Sequence, residues 1–439
     1  MTGVPGAAEV ARRIRCGELS AVEHVTQVLA AVDATASVAA WAYVDRDRAL
    51  AAAERADVAP PEARGPLHGV AVGVKDVIAV AGMPMRAGSR ALDGAVDRCD
   101  AAAVARLRAA GAILVGKTTT HEFASGQGDP GTRNPHHPDR HPGGSSVGSA
   151  VAVSVHAVGA TLATDTTGSI RTPSAAQGVV GFKPSNGAVD NGGLLHFSHT
   201  LDVIGPIGPR VADCALAFEG LSGRAAASAD AVRAPVVAVP TPPPAATPAF
   251  AAALERAVRE LTAAGIRVVE CRPPSYEHSL TAALVLSLAE VLTHHGPRLA
   301  ARGADYLPET RRLMAEAVLV DADDEAAARR AAVLLREELA VLRAETGADA
   351  LLGLTLPGPQ PLLAATGATS LTAPAEGAED GALAAALRQL SLANVTGAPA
   401  ISLPIGLADG HPVGLHLTGL GTDLELLAAA ASVERVVCR

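Results

Sequence analysis

Aromatic side chains are nearly missing from this 439-residue chain: five Phe, three Tyr and one Trp make up 2% of it. That scarcity disfavours a large aryl or fatty-acyl pocket, although aliphatic side chains can also line one. An excess of positive charge is missing too. With 36 Lys and Arg against 45 Asp and Glu, the formal charge of −9 leaves no electrostatic footprint for nucleic acid. The five cysteines, Cys16, Cys99, Cys214, Cys271 and Cys438, lie far apart and form no C-x-x-C pair, which argues against a zinc cluster and for free thiols in a reducing cytosol. No uncharged apolar run reaches membrane-spanning length, and the opening MTGVPGAAEVARRIRCGELS carries charges where a signal peptide needs its apolar run. A soluble, cytoplasmic protein is expected, with neither membrane nor nucleic acid as a partner.

What is present is a hydrophobic content of 49%, enough for a sizeable core. Residues 6–33 and 45–57 show helical periodicity. From Gly69 to about Gly223, short apolar runs alternate with glycine clusters, as in GVAVGVKD, GAILVGK and GVVGFKP, the pattern of buried strands and functional loops. The proline-rich PVVAVPTPPPAATP has a linker's composition, but the strand-like Val236–Val239, the amphipathic Phe250–Ala264 and the strand-like Ile266–Glu270 predict a β-α-β crossover. Helical periodicity dominates from about Leu280 to Glu345. AISLPIGLADGHPVGLHLTG predicts two strands around an Asp409-Gly410 turn, followed by a helix over Asp423–Val436.

Two short motifs invite chemistry that their context opposes. GAILVGKT matches the phosphate-loop pattern, with Lys117 and Thr118 as phosphate and magnesium contacts. Its four central residues, Ala112 to Val115, form an apolar, partly β-branched run suited to a buried strand, not to a loop that turns N–H groups around an anion. A nucleotide-binding protein is thus the remote alternative, and Lys117→Ala is expected to leave the protein's activity largely intact. Gly144-Ser145-Ser146-Val147-Gly148 matches the nucleophile elbow G-x-S-x-G, with Ser146 as nucleophile. The preceding RNPHHPDRHP cannot supply the required strand, because its prolines interrupt a ladder. A third arrangement is serine–lysine catalysis. Lys75 follows the apolar run Gly69–Val74, at the predicted end of a strand. Ordinary lysine titrates near ~10.4, so neutrality at pH 7 needs about 4 kcal/mol from burial and neighbouring groups.

In order and spacing, GVAVGVKD, AGAILVGKTTTHEFASG, TRNPHHPDRHPGGSSVGSAVAV, TDTTGSIRTPSAAQGVVGFKP, LDVIGPIGPRVADCA and NVTGAPAISLPIGLADGHPVGLHLTG resemble the amidase signature family of serine hydrolases. The resemblance spans nearly the whole chain and is loose only from about Tyr276 to Glu345. It implies an α/β fold: one large mixed, twisted sheet covered by helices on both faces. It also implies a single amidase domain over 1–439, with a helical entry at 1–62, a signature core at 63–225, a β-α-β and variable helical substrate-side region at 235–345, and C-terminal strands and helix at 346–439. The implied triad is Ser-cisSer-Lys, with Lys75 as base, Ser145, after a cis Gly144–Ser145 peptide, as bridge, and Ser169 as nucleophile. The implied oxyanion hole is made of N–H groups from Thr166, Thr167, Gly168 and Ser169. No cofactor or metal is implied. The implied reaction is hydrolysis of a small amide or urea-like substrate. Acyl transfer on the same triad and a glutaminase-type subunit of a transamidation complex are the alternatives, and homodimer formation is left open.

The chain departs from the family pattern at Thr167 and Val147, where glycine is usual, and at Gln177, where an apolar residue or cysteine is frequent. Gln177 is expected to add a polar group at the pocket rim, and Ser146 is grouped with the supporting residues. Asp165 and Arg171 flank the nucleophile and are expected to form a buried supporting pair, with recognition of a substrate carboxylate as the other role open to Arg171. His136, His137 and His141 lie in a proline-rich loop without a ligand pattern and are expected to be solvated. His294-His295 is expected to be partly exposed, and DADDEAAARR to be a charged helix face.

Overall fold

The computed structural model describes residues 3–225, 234–272, 274–363 and 380–438. The helical entry begins with two helices, α1 (Ala7–Arg15) and α2 (Ala21–Ala34). They are separated where Gly17 turns at φ +70 and Ser20 caps α2 with a reciprocal Ser20–Glu23 capping box. Along the chain follow β1 (Trp41–Val44), α3 (Arg46–Asp57), β2 (Ala71–Lys75), α4 (Ala102–Ala109), β3 (Ile113–Thr118), α5 (Val147–Ser154), β4 (Thr161–Asp165), α6 (Arg171–Gln177), β5 (Val180–Lys183), β6 (Val203–Gly208) and α7 (Val211–Ser222). The expected crossover is present as β7 (Val236–Pro240), α8 (Pro248–Ala263) and β8 (Arg267–Cys271), with β7 and β8 parallel. The helices α9 (Tyr276–Arg302), α10 (Pro308–Ala315) and α11 (Ala322–Thr346) come next, then β9 (Ala350–Leu354) and α12 (Asp380–Thr396). The chain closes on β10 (Ala400–Ala408), β11 (His411–Gly419) and α13 (Asp423–Val437). The β10–β11 turn has positive φ at Asp409 and Gly410, the geometry that an Asp-Gly pair suits.

The described strands form one 11-stranded mixed sheet in the order β1-β3-β2-β4-β6-β5-β10-β11-β9-β7-β8. Alternation decides which face each side chain serves. In β2 and β3, Val72, Val74 and Leu114 join the apolar cluster of α4 and α7 on one face, and Ala71, Ile113 and Val115 pack with α2 and α5 on the other. A third cluster joins α9, α11 and α12 beside β7 and β9. Full burial of one large apolar side chain such as Phe218 is worth about 1.5–3 kcal/mol. β2 lies parallel to β4, with Gly73 opposite Thr161 and Val74 opposite Leu162. Their carboxyl ends, Lys75 and Thr164-Asp165, therefore meet at one edge of the sheet, where open α/β sheets place their ligands.

The phosphate-loop lookalike is strand β3, which runs through Lys117 to Thr118 instead of leaving the sheet at Gly116. Gly116 is required because a Cβ there would lie 2.2 Å from the Tyr43 carbonyl oxygen on β1. Lys117 is fully buried, with Nζ 3.0 Å from Asp76 Oδ1, while Asp76 Oδ2 accepts the Arg86 and Ala87 N–H groups. Lys117 is thus a structural residue, and removing its ammonium strands a buried carboxylate on the residue next to Lys75. Lys117→Ala should cost about 3–5 kcal/mol of unfolding free energy, and pairing Lys117→Met with Asp76→Asn should recover most of it; urea unfolding of the wild type and both variants checks this.

Candidate active site

Lys75 closes β2 at 0% exposure. Its Nζ lies 2.8 Å from Ser145 Oγ and 2.7 Å from Thr164 Oγ1, both hydroxyls and neither a carboxylate. Burial pushes the amine down to about 7, and the more distant charges of Asp202 and Asp165 pull it part of the way back.

Ser145 sits on the GGSS turn, where the Gly144–Ser145 peptide is cis. Gly143 adopts φ +85, and a Cβ on it would lie 2.5 Å from Pro173 Cα, so the turn presses directly against α6. The Ser145 carbonyl accepts from the Thr120 hydroxyl (3.2 Å) and the His121 N–H (3.3 Å). Ser146 is wholly buried, donates its hydroxyl to the Thr164 carbonyl at 3.1 Å and leads into α5. A hydroxyl so committed, without a preceding strand, does not form a nucleophile elbow.

The second loop leaves β4 at Asp165. This carboxylate accepts the N–H groups of Gly168 (2.7 Å) and Ile170 (3.0 Å), two guanidinium bonds from Arg171 (2.9 and 3.1 Å) and the Asn394 amide (2.9 Å). Burial opposes its charge, but Arg171 and Asn394 outweigh that and hold it well below the usual carboxylate range. Arg171 directs its five donors to Asp165 (two), the Leu390 carbonyl, His416 Nε2 and Asn394 Oδ1. Fully buried and saturated, it has no donor left for a substrate carboxylate. The Asp165 contact also corrects the expected four-donor oxyanion hole: the Gly168 N–H is already committed to Asp165, whereas Thr166, Thr167 and Ser169 spend no N–H on a described residue. Thr166 is fixed by its hydroxyl, which donates to Asp202 Oδ1 at 2.7 Å.

Ser169 and Thr167 keep partial exposure, as does Gly144 across the cleft. The two loops are tied by the Ser146 N–H to the Ser169 carbonyl at 3.3 Å. No hydrogen bond joins the Ser145 and Ser169 hydroxyls. The structure thus brings Lys75 and Ser145 into contact and sets Ser169 on the adjoining loop with an uncommitted hydroxyl. Gln177 is at 2% exposure and donates to the Pro142 carbonyl at 2.9 Å, so it braces the GGSS turn instead of standing at a rim.

Two histidines depart from the sequence expectation. His141 is largely buried against His121, their rings parallel within 2° and their Nε2 atoms 3.1 Å apart. His141 Nδ1 accepts the Gly143 N–H, which places its proton on Nε2 and makes His121 Nε2 the acceptor. Burial, the largest cause for both, keeps them neutral, with His141 at about 4. A Cβ on Gly144 would meet His121 Cε1 at 2.2 Å, so this pair is one reason for the second glycine of GGSS. His295, expected to be partly exposed, is buried against Phe123 and bonds the His196 carbonyl. His136 contacts Ser154 and is exposed; His137 contacts the Gly410 carbonyl. Among the described residues no group of three or more His, Cys, Asp or Glu could hold a metal ion, and no helix is long and apolar enough to cross a membrane.

At the carboxyl ends of the parallel strands β2 and β4 the structure therefore gathers a buried lysine on one serine and a second serine on the adjoining glycine loop. The amidase family profile matches residues 23–427, and the chain belongs to that family, the amidase signature enzymes. It is 34% identical to the A-subunit of glutamyl-tRNA(Gln) amidotransferase from Symbiobacterium thermophilum, over 98% of this chain and 96% of that protein. Among solved structures, one described as an amidase superposes with a TM-score of 0.87 at 32% identity, covering 98% of this chain and 100% of the other. The peptide amidase of Stenotrophomonas maltophilia superposes with a TM-score of 0.80 at 27% identity, covering 99% and 97%.

Arg171→Met should leave the Asp165 charge under-compensated at full burial, costing about 3–5 kcal/mol of stability. Chemical denaturation measures the loss, and the Asp165→Asn, Arg171→Met double variant should lose less than the sum of the two single changes.

Proposed function

We propose that the protein hydrolyses the carbon–nitrogen bond of a small amide through an acyl-enzyme on Ser169, with Ser145 and Lys75 as proton relay and base. The observation that carries this reading is Lys75: a fully buried amine, pushed down to about 7, held on two hydroxyls. In its neutral form Nζ has two N–H bonds and a lone pair. It donates to Thr164 Oγ1 and accepts the Ser145 proton, while Ser145 Oγ accepts the proton of Ser169. That last link forms when the uncommitted Ser169 hydroxyl rotates toward Ser145. Ser169 Oγ then adds to the amide carbonyl, and the oxyanion meets the N–H groups of Thr166, Thr167 and Ser169, each such donor being worth roughly 3 kcal/mol in the transition state. The relay returns the proton to the leaving nitrogen as the C–N bond breaks. Water repeats the sequence on the ester, releases the acid and restores Ser169. The Asp165–Arg171–Asn394 network positions the loop and takes no proton.

A second reading is a glutaminase-type subunit of a transamidation complex, favoured by the likeness to the amidotransferase; co-purification of partner chains from the source cells would support it. Acyl transfer to an acceptor other than water is distinguished by product analysis with competing amines.

A panel of amides and ureas with wild type and Ser169→Ala tests the proposal. Turnover should vanish in the variant, and mass analysis of the wild type should find the acyl adduct on Ser169. Undiminished turnover, or an adduct on Ser146, contradicts it. The pH dependence follows from Lys75. Since the active form is the neutral amine, kcat/KM should rise about tenfold per pH unit below about 7 and level off above it.

A further inference from the structure

Outside the Lys75 site, a surface cleft of about 270 Å3 is lined by Arg48, Ala51, Ala52, Arg55, Met83, Arg108 and Leu114. Four of these residues share α3, and their spacing of three, one and three puts them on one stripe of the helix. Arg108 faces them from α4; the apolar lining is Ala51 and Ala52, both half-buried, with Met83 and Leu114 closed off beneath them at 2% and 3% exposure.

Not all of the lining arginines are paired. Arg48 has Asp45 Oδ2 at 3.6 Å and is anchored to the Gly82 carbonyl, and Arg108 is held by Asp100 Oδ2 at 2.9 Å. Arg55 is exposed and has no ion-pair partner among the described residues. Two of the three lining guanidiniums thus have a carboxylate within 3.6 Å, and that of Arg55 has none among the described residues. The two anchored arginines are pre-oriented, and the third presents a free fork of the kind that pairs with a carboxylate. The volume lies just below the ~300–1,000 Å3 of drug-sized sites and suits a compact ligand.

We propose that this cleft binds a small monocarboxylate with an apolar body, its carboxylate paired with Arg55 and its body against the half-buried Ala51 and Ala52 between the arginines. Such binding is independent of the reaction catalysed at Lys75. Calorimetric titration of the intact protein with benzoate, benzyl alcohol and inorganic phosphate at fixed ionic strength tests it. Benzoate should bind, and benzyl alcohol, without the charge, and phosphate, without the apolar body, should each bind about tenfold more weakly or worse. Arg55→Ala should weaken benzoate by about tenfold with an unchanged melting temperature, and Ala52→Phe, which fills the cleft, should abolish binding. Absence of benzoate binding, equal binding by Arg55→Ala, or phosphate binding tighter than benzoate overturns the proposal.

Discussion

A lysine ammonium at full burial without a carboxylate is an expensive arrangement, and the architecture around Lys75 is organised to hold it. β2 carries the residue to the carboxyl edge of the sheet with Val72 and Val74 anchored in the core. The parallel β4 delivers Thr164 within 2.7 Å, and the GGSS turn delivers Ser145 within 2.8 Å. Both partners are hydroxyls, which satisfy a neutral amine as well as a charged one. Two nearby lysines show what other surroundings do. Lys117, on the adjacent strand, is just as buried but lies 3.0 Å from Asp76, an ion pair. Lys183, at the end of β5, rests on the Pro184 carbonyl at 2.8 Å, and burial brings it too to about 7, but no serine hydroxyl contacts its amine. In the proposed mechanism, pairing an amine near neutrality with a serine hydroxyl distinguishes Lys75 from both.

The Asp165 network fixes the second half of the site. One carboxylate gathers two loop N–H groups, a bidentate arginine and an amide from α12, and so shapes the turn that carries Thr166 to Ser169. Its hold on the Gly168 N–H leaves three N–H groups in the loop for the proposed oxyanion contacts. In the proposed mechanism the loop is thereby pre-organised by buried groups that take no part in proton transfer, the arrangement that makes electrostatic stabilisation effective without reorganisation.

Local patterns made much of this legible. The apolar run before Lys75, the Asp409-Gly410 turn and the strand–helix–strand around the prolines all read correctly because each depends on neighbours in sequence. The order of motifs pointed to the family and brought Lys75, Ser145 and Ser169 forward together. What stayed hidden depends on distance along the chain. Asn394 reaches Asp165 from 229 residues away, and His141 leaves solvent only because His121 folds over it. Lys117 stood out in sequence only as part of the phosphate-loop lookalike, because nothing next to it shows that Asp76, just past the end of β2, comes to pair with it. The bond that commits Gly168 is local, but it depends on a loop conformation that the letters TDTTGS do not spell out.

The proposed relay works only if Lys75 is neutral under working conditions, and its titration can be followed directly by nitrogen-15 NMR of lysine side chains, with Lys75→Met to assign the signal and Lys183→Met to separate the second buried amine. A midpoint for Lys75 near 7 is predicted. A midpoint near the ordinary lysine value of about 10.4 would leave the relay without a base and contradict it.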